Sequence, residues 1–368
     1  MEEFYTRFIQ ASFDPAGRLT QYTCTYPPHF NYGYDVIDPL GQLYPDQPAM
    51  LWRNDRGDTM RLTFGDLSRL STQAANLFRA RGLKKGDVLT VALRIHWEYW
   101  IIAIAAHKLG LILSPLYYRL TTQDFLYRMQ TAETKALVCC QEGGTPERMR
   151  AAADAAGVPL RFCLAEAAGF ESFSTAMASQ PDTMERVSTE ALEPILVFFT
   201  SGTTGTPKAV LHDHRITLSN YCGSRYMQDV HRGSRHYASG DTGWGAVSGT
   251  KFYFQWASAA TLLVYDYDRF PPRQVLSFLE EMRATSIWAQ PAVYRKFTDV
   301  GMAQYDLSSV SCFSVGGERL PPDLAQTVQE QTGQVLYEGY AQSEAGLIAA
   351  SSKNMGRKPG SMGRILPK

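Results

Sequence analysis

Short apolar runs alternate with segments of helical periodicity along most of the chain, and this alternation limits the possible folds more than any other feature. Residues 63–66 have the pattern of a capping box, and the apolar residues after them recur at helical spacing as far as Phe78. A strand-like run at 88–93 and a helical pattern at 97–109 come next. This order of elements predicts a layered α/β fold in which most strands are parallel.

The second half of the chain repeats the alternation after a weakly periodic junction at 165–192. The continuous apolar run Ile195 to Phe199 predicts a buried strand. We predict a surface leader at 1–35, a first α/β subdomain at 36–185 and a second at 186–368, packed as a large αβαβα unit. Further helices are predicted at about 145–156, 212–227, 271–284, 291–299 and 321–332.

Charge and hydropathy argue against two broad classes of partner. Lys and Arg together number 36, as do Asp and Glu, so there is no electrostatic reason to expect nucleic-acid or anionic-membrane binding. The longest apolar stretch, 97–118, is interrupted by Glu98, Lys108 and Pro115, so it does not supply the ~20 apolar residues of a membrane span. The six cysteines match no zinc-ligand spacing, and we expect reduced thiols in a cytoplasmic protein.

The loop that follows the Ile195–Phe199 run carries the strongest chemical signal. From Thr200 to Lys208 it contains two glycines, four threonines and one serine. Backbone N–H groups and hydroxyls at this density suit an oligophosphate, and Lys208 adds a positive charge. The loop is not a P-loop, because Ala209 stands where that motif places Ser or Thr after its lysine.

This loop resembles the phosphate-binding loop of the adenylate-forming (AMP-binding) superfamily, which includes acyl-CoA synthetases, non-ribosomal peptide adenylation domains and luciferases. Residues 337–344 are similar to its second core motif, and residues 315–318 to the strand end at its adenine pocket. Residues 241–244 resemble the entry to the acyl pocket, as found in medium-chain and aryl acyl-CoA synthetases. The resemblance extends from about residue 45 to the end of the chain.

The resemblance implies a site for ATP. Its phosphates would be bound by the loop residues Thr200, Ser201, Gly202, Thr203, Thr204, Gly205 and Lys208. Its adenosine would be bound by residues at two predicted strand ends, namely Gly316, Gly317, Glu318, Glu338, Gly339, Tyr340, Ala341, Gln342 and Ser343. The resemblance also implies that the ring of Tyr340 stacks on the adenine.

The resemblance also implies the catalytic and substrate-binding positions. Lys208, Ser343 and Glu344 are the expected catalytic residues, and Glu344 is the expected ligand of Mg²⁺. The acyl group is expected near Trp244, Gly245, Pro291 and Tyr294. His212 and His214 follow the loop at a spacing that does not place them on one helix face, so we expect them to pack or cap.

Three departures from the family pattern bear on the function. Ala341 replaces the usual glycine of the second core motif, where its methyl group would disfavour unusual backbone angles. Ser343 replaces the usual threonine and keeps the hydroxyl. The chain ends at Lys368, before the small carboxy-terminal domain of the family, so we expect a piece of a longer enzyme that catalyses poorly alone because its lid is missing.

The function implied is ATP-dependent activation of a carboxylic acid to acyl-AMP with release of pyrophosphate, followed by thioester formation with coenzyme A. The partners would be a small carboxylic acid, ATP and CoA, with neither nucleic acid nor membrane. Two alternatives stay open at this point. The acceptor could be a carrier-protein thiol, or the chain could bind a nucleotide or acyl-adenylate without catalysis. The sequence carries no signal for an oligomeric state.

Overall fold

The computed structural model describes residues 3–200 and 205–367. The strands in chain order are β1 Ile9–Phe13, β2 Leu19–Cys24, β3 Pro48–Asn54, β4 Thr59–Thr63, β5 Val88–Ala92, β6 Ile112–Pro115, β7 Thr134–Cys139, β8 Leu160–Cys163, β9 Glu171–Ser172, β10 Pro194–Thr200, β11 Lys208–Asp213, β12 Arg235–Ala238, β13 Thr261–Asp266, β14 Ser286–Ala289, β15 Cys312–Gly316, β16 Leu336–Gln342, β17 Gly346–Ala350 and β18 Arg364–Ile365. The helices are α1 Asp38–Leu43, α2 Phe64–Ala80, α3 Glu98–Leu109, α4 Thr122–Thr131, α5 Thr145–Ala156, α6 Phe173–Ala178, α7 Ile216–Ser219, α8 Ala246–Thr250, α9 Tyr253–Ala257, α10 Pro272–Glu281, α11 Pro291–Val300 and α12 Pro322–Thr332. None of these helices is long and apolar enough to cross a membrane.

Two large sheets organise the described part of the chain. The first has the order β11-β10-β6-β5-β7-β8-β9, and all its neighbouring strands are parallel except the β10–β11 pair. The second has the order β18-β17-β16-β15-β14-β12-β13-β3-β4, with antiparallel pairing at both edges and parallel strands between. The predicted α/β class with mostly parallel sheets is confirmed.

The sheets do not follow the division predicted at residue 186. Strands β3 and β4, from the first half of the chain, lie beside β13 in the second sheet. Strands β10 and β11, from the second half, complete the first sheet beside β6. Strands join the neighbour that satisfies their backbone hydrogen bonds and buries their side chains, so a boundary drawn from sequence order alone does not separate the two sheets.

The amino-terminal leader is more ordered than predicted. It contains the β1–β2 hairpin, and the Tyr22 hydroxyl donates to the Leu218 carbonyl oxygen at 2.9 Å. Phe4, Phe8 and Phe30 are buried in the same core as the first sheet. The aromatic residues that suggested an irregular surface segment are therefore part of the hydrophobic core.

Most local predictions agree with the structure, and one is only partly correct. The Thr63 side chain accepts a hydrogen bond from the Asp66 amide while Asp66 accepts one from Thr63, so the capping box before α2 is present. The helix predicted at 212–227 is present only in part, because helical residues begin at Ile216 and are interrupted at Asn220. Strand β11 continues to Asp213, and only the short α7 and a π-type turn at 223–227 follow. Pairing with β10 takes the first residues of this segment into a hairpin.

Residues 241–245 link the two sheets at very close range. The Thr242 hydroxyl donates to the carbonyl oxygen of Leu93 at 2.9 Å, just beyond β5. A Cβ atom added at Gly243 would lie 2.3 Å from the Tyr117 amide nitrogen, so only glycine allows this approach to the chain after β6. Gly245, two residues later, would place a Cβ 3.3 Å from the Phe198 ring, which is a tolerable contact.

We expect Gly243→Ala to lower the free energy of unfolding by roughly 1–3 kcal/mol, because backbone atoms have to move to admit the methyl group. Gly245→Ala is the matched control in the same segment, since there a side-chain ring can shift. Urea unfolding of both variants would test this. Equal losses would show that the approach at Gly243 is not the limiting contact.

The imidazole of His214 is buried and uncharged. Its side chain is fully buried, and neither ring nitrogen has a hydrogen-bond partner within residues 3–200 and 205–367. Burial lowers the pKa of His214 to about 4. An unfolded chain, with a histidine pKa near 6.5, takes up this proton more readily. The folded state therefore loses stability from His214 as the pH falls from about 6.5 to about 4, and below that range the loss is complete.

We expect His214→Leu to reduce this acid sensitivity. At pH 7 the variant should unfold with a free energy close to that of the parent, since no hydrogen bond is lost. Between pH 7 and pH 4.5 it should lose less stability than the parent, by up to roughly 3 kcal/mol. Denaturant unfolding at several pH values measures this difference. Parallel pH profiles would contradict it.

Candidate active site

The β10–β11 hairpin and the turn between β16 and β17 meet at one cavity of about 250 Å³. Phe198 and His212 of the hairpin line it on one side, and Ala341 and Ser343 on the other. His212 hydrogen-bonds to the Ser343 backbone, and burial lowers the pKa of His212. The two segments that carry the strongest sequence motifs therefore share one site, although about 130 residues separate them in the chain.

The predicted phosphate loop is the connection of this hairpin. Thr200 and Lys208 are paired across the two strands at its base, and Gly205 and Lys208 are exposed. The predicted phosphate-binding residues Ser201, Gly202, Thr203 and Thr204 lie outside the described residues. Lys208 thus places an exposed ammonium group at the base of the loop, on the same hairpin whose residues Phe198 and His212 line the cavity.

Glycines form the predicted adenine side of the cavity. Gly316 ends β15 and Gly317 follows it, Gly339 lies opposite Gly316 on β16, and all three line the cavity. A Cβ on Gly316 would lie 3.1 Å from the Gly339 carbonyl oxygen, and Gly317 has a φ of +89°. Side chains already pack against these glycines, since a Cβ on Gly316 would lie 3.3 Å from the Trp288 ring and one on Gly317 would lie 3.0 Å from the Trp244 ring. Glu318 is exposed beside them.

Some residues of the second core motif line the cavity and others do not. Gly339, Ala341, Gln342 and Ser343 line the cavity, whereas Tyr340 is half-buried and lies outside its wall. An irregularity in the β16–β17 register between Tyr340 and Ala341 brings the following residues back to the cavity side. The expected stacking of Tyr340 on a base stays a prediction.

The backbone at Ala341 is unstrained, although a glycine is usual at this position of the motif. Among the described non-glycine residues, positive φ occurs at Glu133, Asp229, Ala259 and Arg283, so Ala341 fits its position without left-handed strain.

Glu338 is buried, and its carboxylate accepts a hydrogen bond from the Leu320 amide at 3.2 Å. Glu338 therefore holds the chain after Glu318 in place, and it does not line the cavity.

Glu344 faces a second, more open cavity of about 550 Å³. This cavity shares His212, Ile216 and Asn220 with the first, and the leader supplies Tyr22 and Tyr26 to its far wall. Glu344 is exposed, and Ser343 beside it belongs to the first cavity. A carboxylate and a hydroxyl thus lie at the junction of the two spaces, where oxygen ligands could bind a hard cation.

The wall opposite the nucleotide residues is aromatic. Trp244 packs on Trp288 with ring centroids 5.8 Å apart, and Gly245 faces the Phe198 ring. Tyr253 and Phe254 complete this wall. The Tyr253 hydroxyl is 2.6 Å from Nε2 of the buried His107, which fixes the ring at the cavity. This wall suits an apolar group on the ligand.

Two predicted acyl-pocket residues lie elsewhere. Tyr294 is fully buried in the core of the second sheet, and its hydroxyl donates to the carbonyl oxygens of Ile287 at 3.2 Å and Ser314 at 3.1 Å. Pro291 begins α11 and is buried without lining the cavity. The first turn of α11 packs on the sheet, which turns these side chains inward.

Several cavity residues were not predicted from the sequence. The buried amide of Gln228 accepts a hydrogen bond from Gln255 at 2.8 Å and lines the cavity beside Met227. Gly249 and Leu347 also line it. Gly249 lies in a stretch rich in aromatic and glycine residues at 244–254, whereas Met227, Gln228 and Leu347 lie outside any motif that the sequence shows.

Comparison with known proteins agrees with this geometry. Residues 41–368 match the family model described as "AMP-binding enzyme". The chain is 31% identical over 376 residues to human acyl-coenzyme A synthetase ACSM4, mitochondrial, covering 99% of this chain and 64% of that protein. It is 28% identical over 350 residues to human acyl-coenzyme A synthetase ACSM5, mitochondrial, covering 93% of this chain and 60% of that protein. The chain thus spans less than two thirds of the length of these relatives.

Solved structures show the same fold. The crystal structure of the anthranilate CoA ligase AuaEII in complex with anthranoyl-AMP superposes with a TM-score of 0.83 at 20% identity, covering 92% of this chain and 64% of that one. A Brucella canis acyl-CoA synthetase gives 0.85 at 19% identity, covering 93% and 63%. With the family model matching almost the whole chain, the protein belongs to the AMP-binding enzyme family.

Proposed function

We propose that this protein activates a carboxylic acid with ATP, forming acyl-AMP and pyrophosphate, and that its full-length form transfers the acyl group to coenzyme A. The observation that carries the proposal is the single cavity shared by the β10–β11 hairpin, the glycine strand ends and the aromatic wall. In such a cavity one ligand would place its phosphates near the hairpin, its adenine at the glycine strand ends and its acyl group at the aromatic wall. The names of the relatives, which are acyl-CoA synthetases, support the same assignment.

The residues have distinct tasks in this proposal. The aromatic wall at Trp244 and Phe198 holds the body of the acid, so that its carboxylate points towards Ser343. The adenine would lie against the strand ends at Gly316, Gly317 and Gly339, which line the cavity. Lys208, at the base of the loop, supplies positive charge to the phosphates. Because adenylation requires little covalent chemistry from the protein, positioning and charge neutralisation account for most of the rate.

The oxygen donors at the cavity junction fit Mg²⁺. Glu344 is an exposed carboxylate next to the Ser343 hydroxyl, and Mg²⁺ is commonly bound by one or two carboxylates together with substrate phosphates and waters. The ion would offset the charge that develops on the departing pyrophosphate. His212, whose pKa is lowered by burial, contributes a hydrogen bond to Ser343 and no charge of its own at neutral pH.

Replacing Glu344 tests the adenylation step. We expect Glu344→Gln in the full-length protein to reduce acid-dependent pyrophosphate release by roughly 100-fold, because a metal ligand is lost while size and shape are kept. Measuring the rate against Mg²⁺ concentration should show a weaker apparent affinity for the ion. Glu166→Gln, an exposed glutamate beyond β8, is the matched control and should leave the rate unchanged. Equal rates in both variants would refute the role of Glu344.

Filling the apolar end of the cavity tests where the acid binds. We expect Gly245→Val to raise the KM for the acid by roughly 10-fold, because the added side chain occupies the space beside Phe198. The KM for ATP should change little, which provides an internal control. Steady-state kinetics with a panel of medium-chain and aryl acids would measure both constants. A matched rise in both would place the acid elsewhere.

A further inference from the structure

A histidine, a cysteine and a glutamate converge beyond the carboxyl ends of two neighbouring strands of the first sheet. His96 follows β5, and Cys140 and Glu142 follow β7, which is parallel to β5. From β5 the sheet extends to β6 on one side and to β7 on the other, so the chain changes direction there. In open parallel sheets such a point leaves a crevice in which ligands bind.

The three side chains have the spacing of metal ligands. One potential ligand atom from each of His96, Cys140 and Glu142 lies within 4.8 Å of the others. Nε2 of His96 is 3.2 Å from Oε1 of Glu142. Two ligands bound tetrahedrally at 2.0–2.1 Å lie about 3.3 Å apart, so this pair already has the required separation.

Two atoms of this cluster lack the partners that buried polar atoms normally have. Nδ1 of His96 and Oε2 of Glu142 are inaccessible and without hydrogen-bond partners in the part of the chain that the structure describes. The His96 residue is 8% exposed, and the fully buried Cys140 thiol has a weak contact with Thr145 Oγ1 at 4.0 Å and hydrogen bonds from the backbone of Arg94 and Glu142. A plain ion pair through Nε2 of His96 and Oε1 of Glu142 would use neither Oε2 nor the thiol, whereas an ion bound at Nε2 could contact both.

We propose that His96, Cys140 and Glu142 bind a transition-metal ion of the zinc class. Imidazole nitrogen, thiolate sulfur and carboxylate oxygen are the ligand types that Zn²⁺ accepts, and the mixed set disfavours Mg²⁺ and Ca²⁺. The three protein ligands leave one tetrahedral position for water. This site is separate from the cavity of the proposed adenylation reaction and does not depend on that reaction.

The surrounding charges allow a cation. Arg94 forms an ion pair with the buried Asp266 at 2.7 Å and lies 3.6 Å from Asp55, so its charge is offset. Glu98 lies near His96 with a buried carboxylate oxygen that has no partner among the described residues, and the Arg56 guanidinium is 3.9 Å from Glu142. Carboxyl groups therefore outnumber guanidinium groups around the cluster.

Binding has to displace protons. Burial raises the pKa of the Cys140 thiol to about 12, so the thiol is protonated at neutral pH without a metal. When the metal–sulfur bond forms, the S–H bond breaks and the proton passes to solvent, as does any proton on His96. The apparent affinity should consequently increase as the pH rises.

The position of the cluster indicates a structural role. The carbonyl oxygens of Leu93 and Arg94, three and two residues before His96, both accept hydrogen bonds from Thr242. Trp244 of the aromatic wall lies two residues after Thr242 in the chain. An ion bound to His96 would tie the end of β5 to the turn at 142–144 and so fix the seam between the two sheets.

Cobalt titration of the metal-free protein tests the site. Without ATP or Mg²⁺, we expect one Co²⁺ per chain with a cobalt–thiolate charge-transfer absorption that Zn²⁺ abolishes by displacement. Cys140→Ala should lose this absorption and bind at least roughly 10-fold more weakly. Cys139→Ala is the matched control, because Cys139 is its neighbour and is equally buried but lies outside the cluster.

A second variant covers the case in which Cys140→Ala fails to fold. Glu142→Gln removes a ligand charge from a surface turn, and it should weaken Co²⁺ binding by at least roughly 10-fold while the thiolate absorption persists at saturation. Zn²⁺ should raise the Tm of the parent and of Cys139→Ala, and raise that of Glu142→Gln less. Absence of the thiolate absorption in the folded parent would overturn the proposal. So would its retention in Cys140→Ala, which would mark adventitious binding to another thiol.

Discussion

The candidate site depends on the docking of the β16–β17 turn against the segment that follows the β10–β11 hairpin. The Leu347 amide donates to Oδ1 of Asn220 at 3.1 Å, and a Cβ on Gly346 would lie 2.2 Å from Nδ2 of the Asn220 side chain. Gly346 has a φ of +67°, so the turn needs glycine for both its backbone angle and its close approach. Without this contact, Ser343 and His212 would not face one cavity, and the two sequence motifs would have no common ligand.

Much of the fold follows from local patterns, because helix caps and buried strands leave signals in neighbouring residues. The capping box at Thr63 is read from four letters and is present. Long-range pairing leaves no such signal. Nothing near β3 indicates that it pairs with β13, and nothing in the apolar spacing at 212–227 shows that β10 takes up the first residues as a strand partner. Those errors come from tertiary contacts that override local periodicity.

Cavity residues could be predicted where they belong to a motif that is continuous in sequence. They could not be predicted where the direction of a side chain decides whether it reaches the cavity. Gly316, Gly339 and Ser343 line the cavity as expected, since each belongs to a strand end that the motif defines. Tyr294 does not, because the helical phase of α11 turns its ring into the core, and a motif match carries no information about that phase. The cytoplasmic location stays a prediction.

The same limit explains why cysteine spacing gave no indication of a metal ligand. Zinc motifs are recognisable in sequence when two ligands share a turn, whereas His96 and Cys140 lie on separate strands and become neighbours only because β5 and β7 pair. Parallel pairing brings the residues after both strands to one edge of the sheet, whatever their distance in the chain. The proposed metal site and the adenylation cavity therefore have one origin. Each is assembled from residues beyond the carboxyl ends of sheet strands, and the segment around Thr242, which bonds to the end of β5 and carries Trp244, connects them.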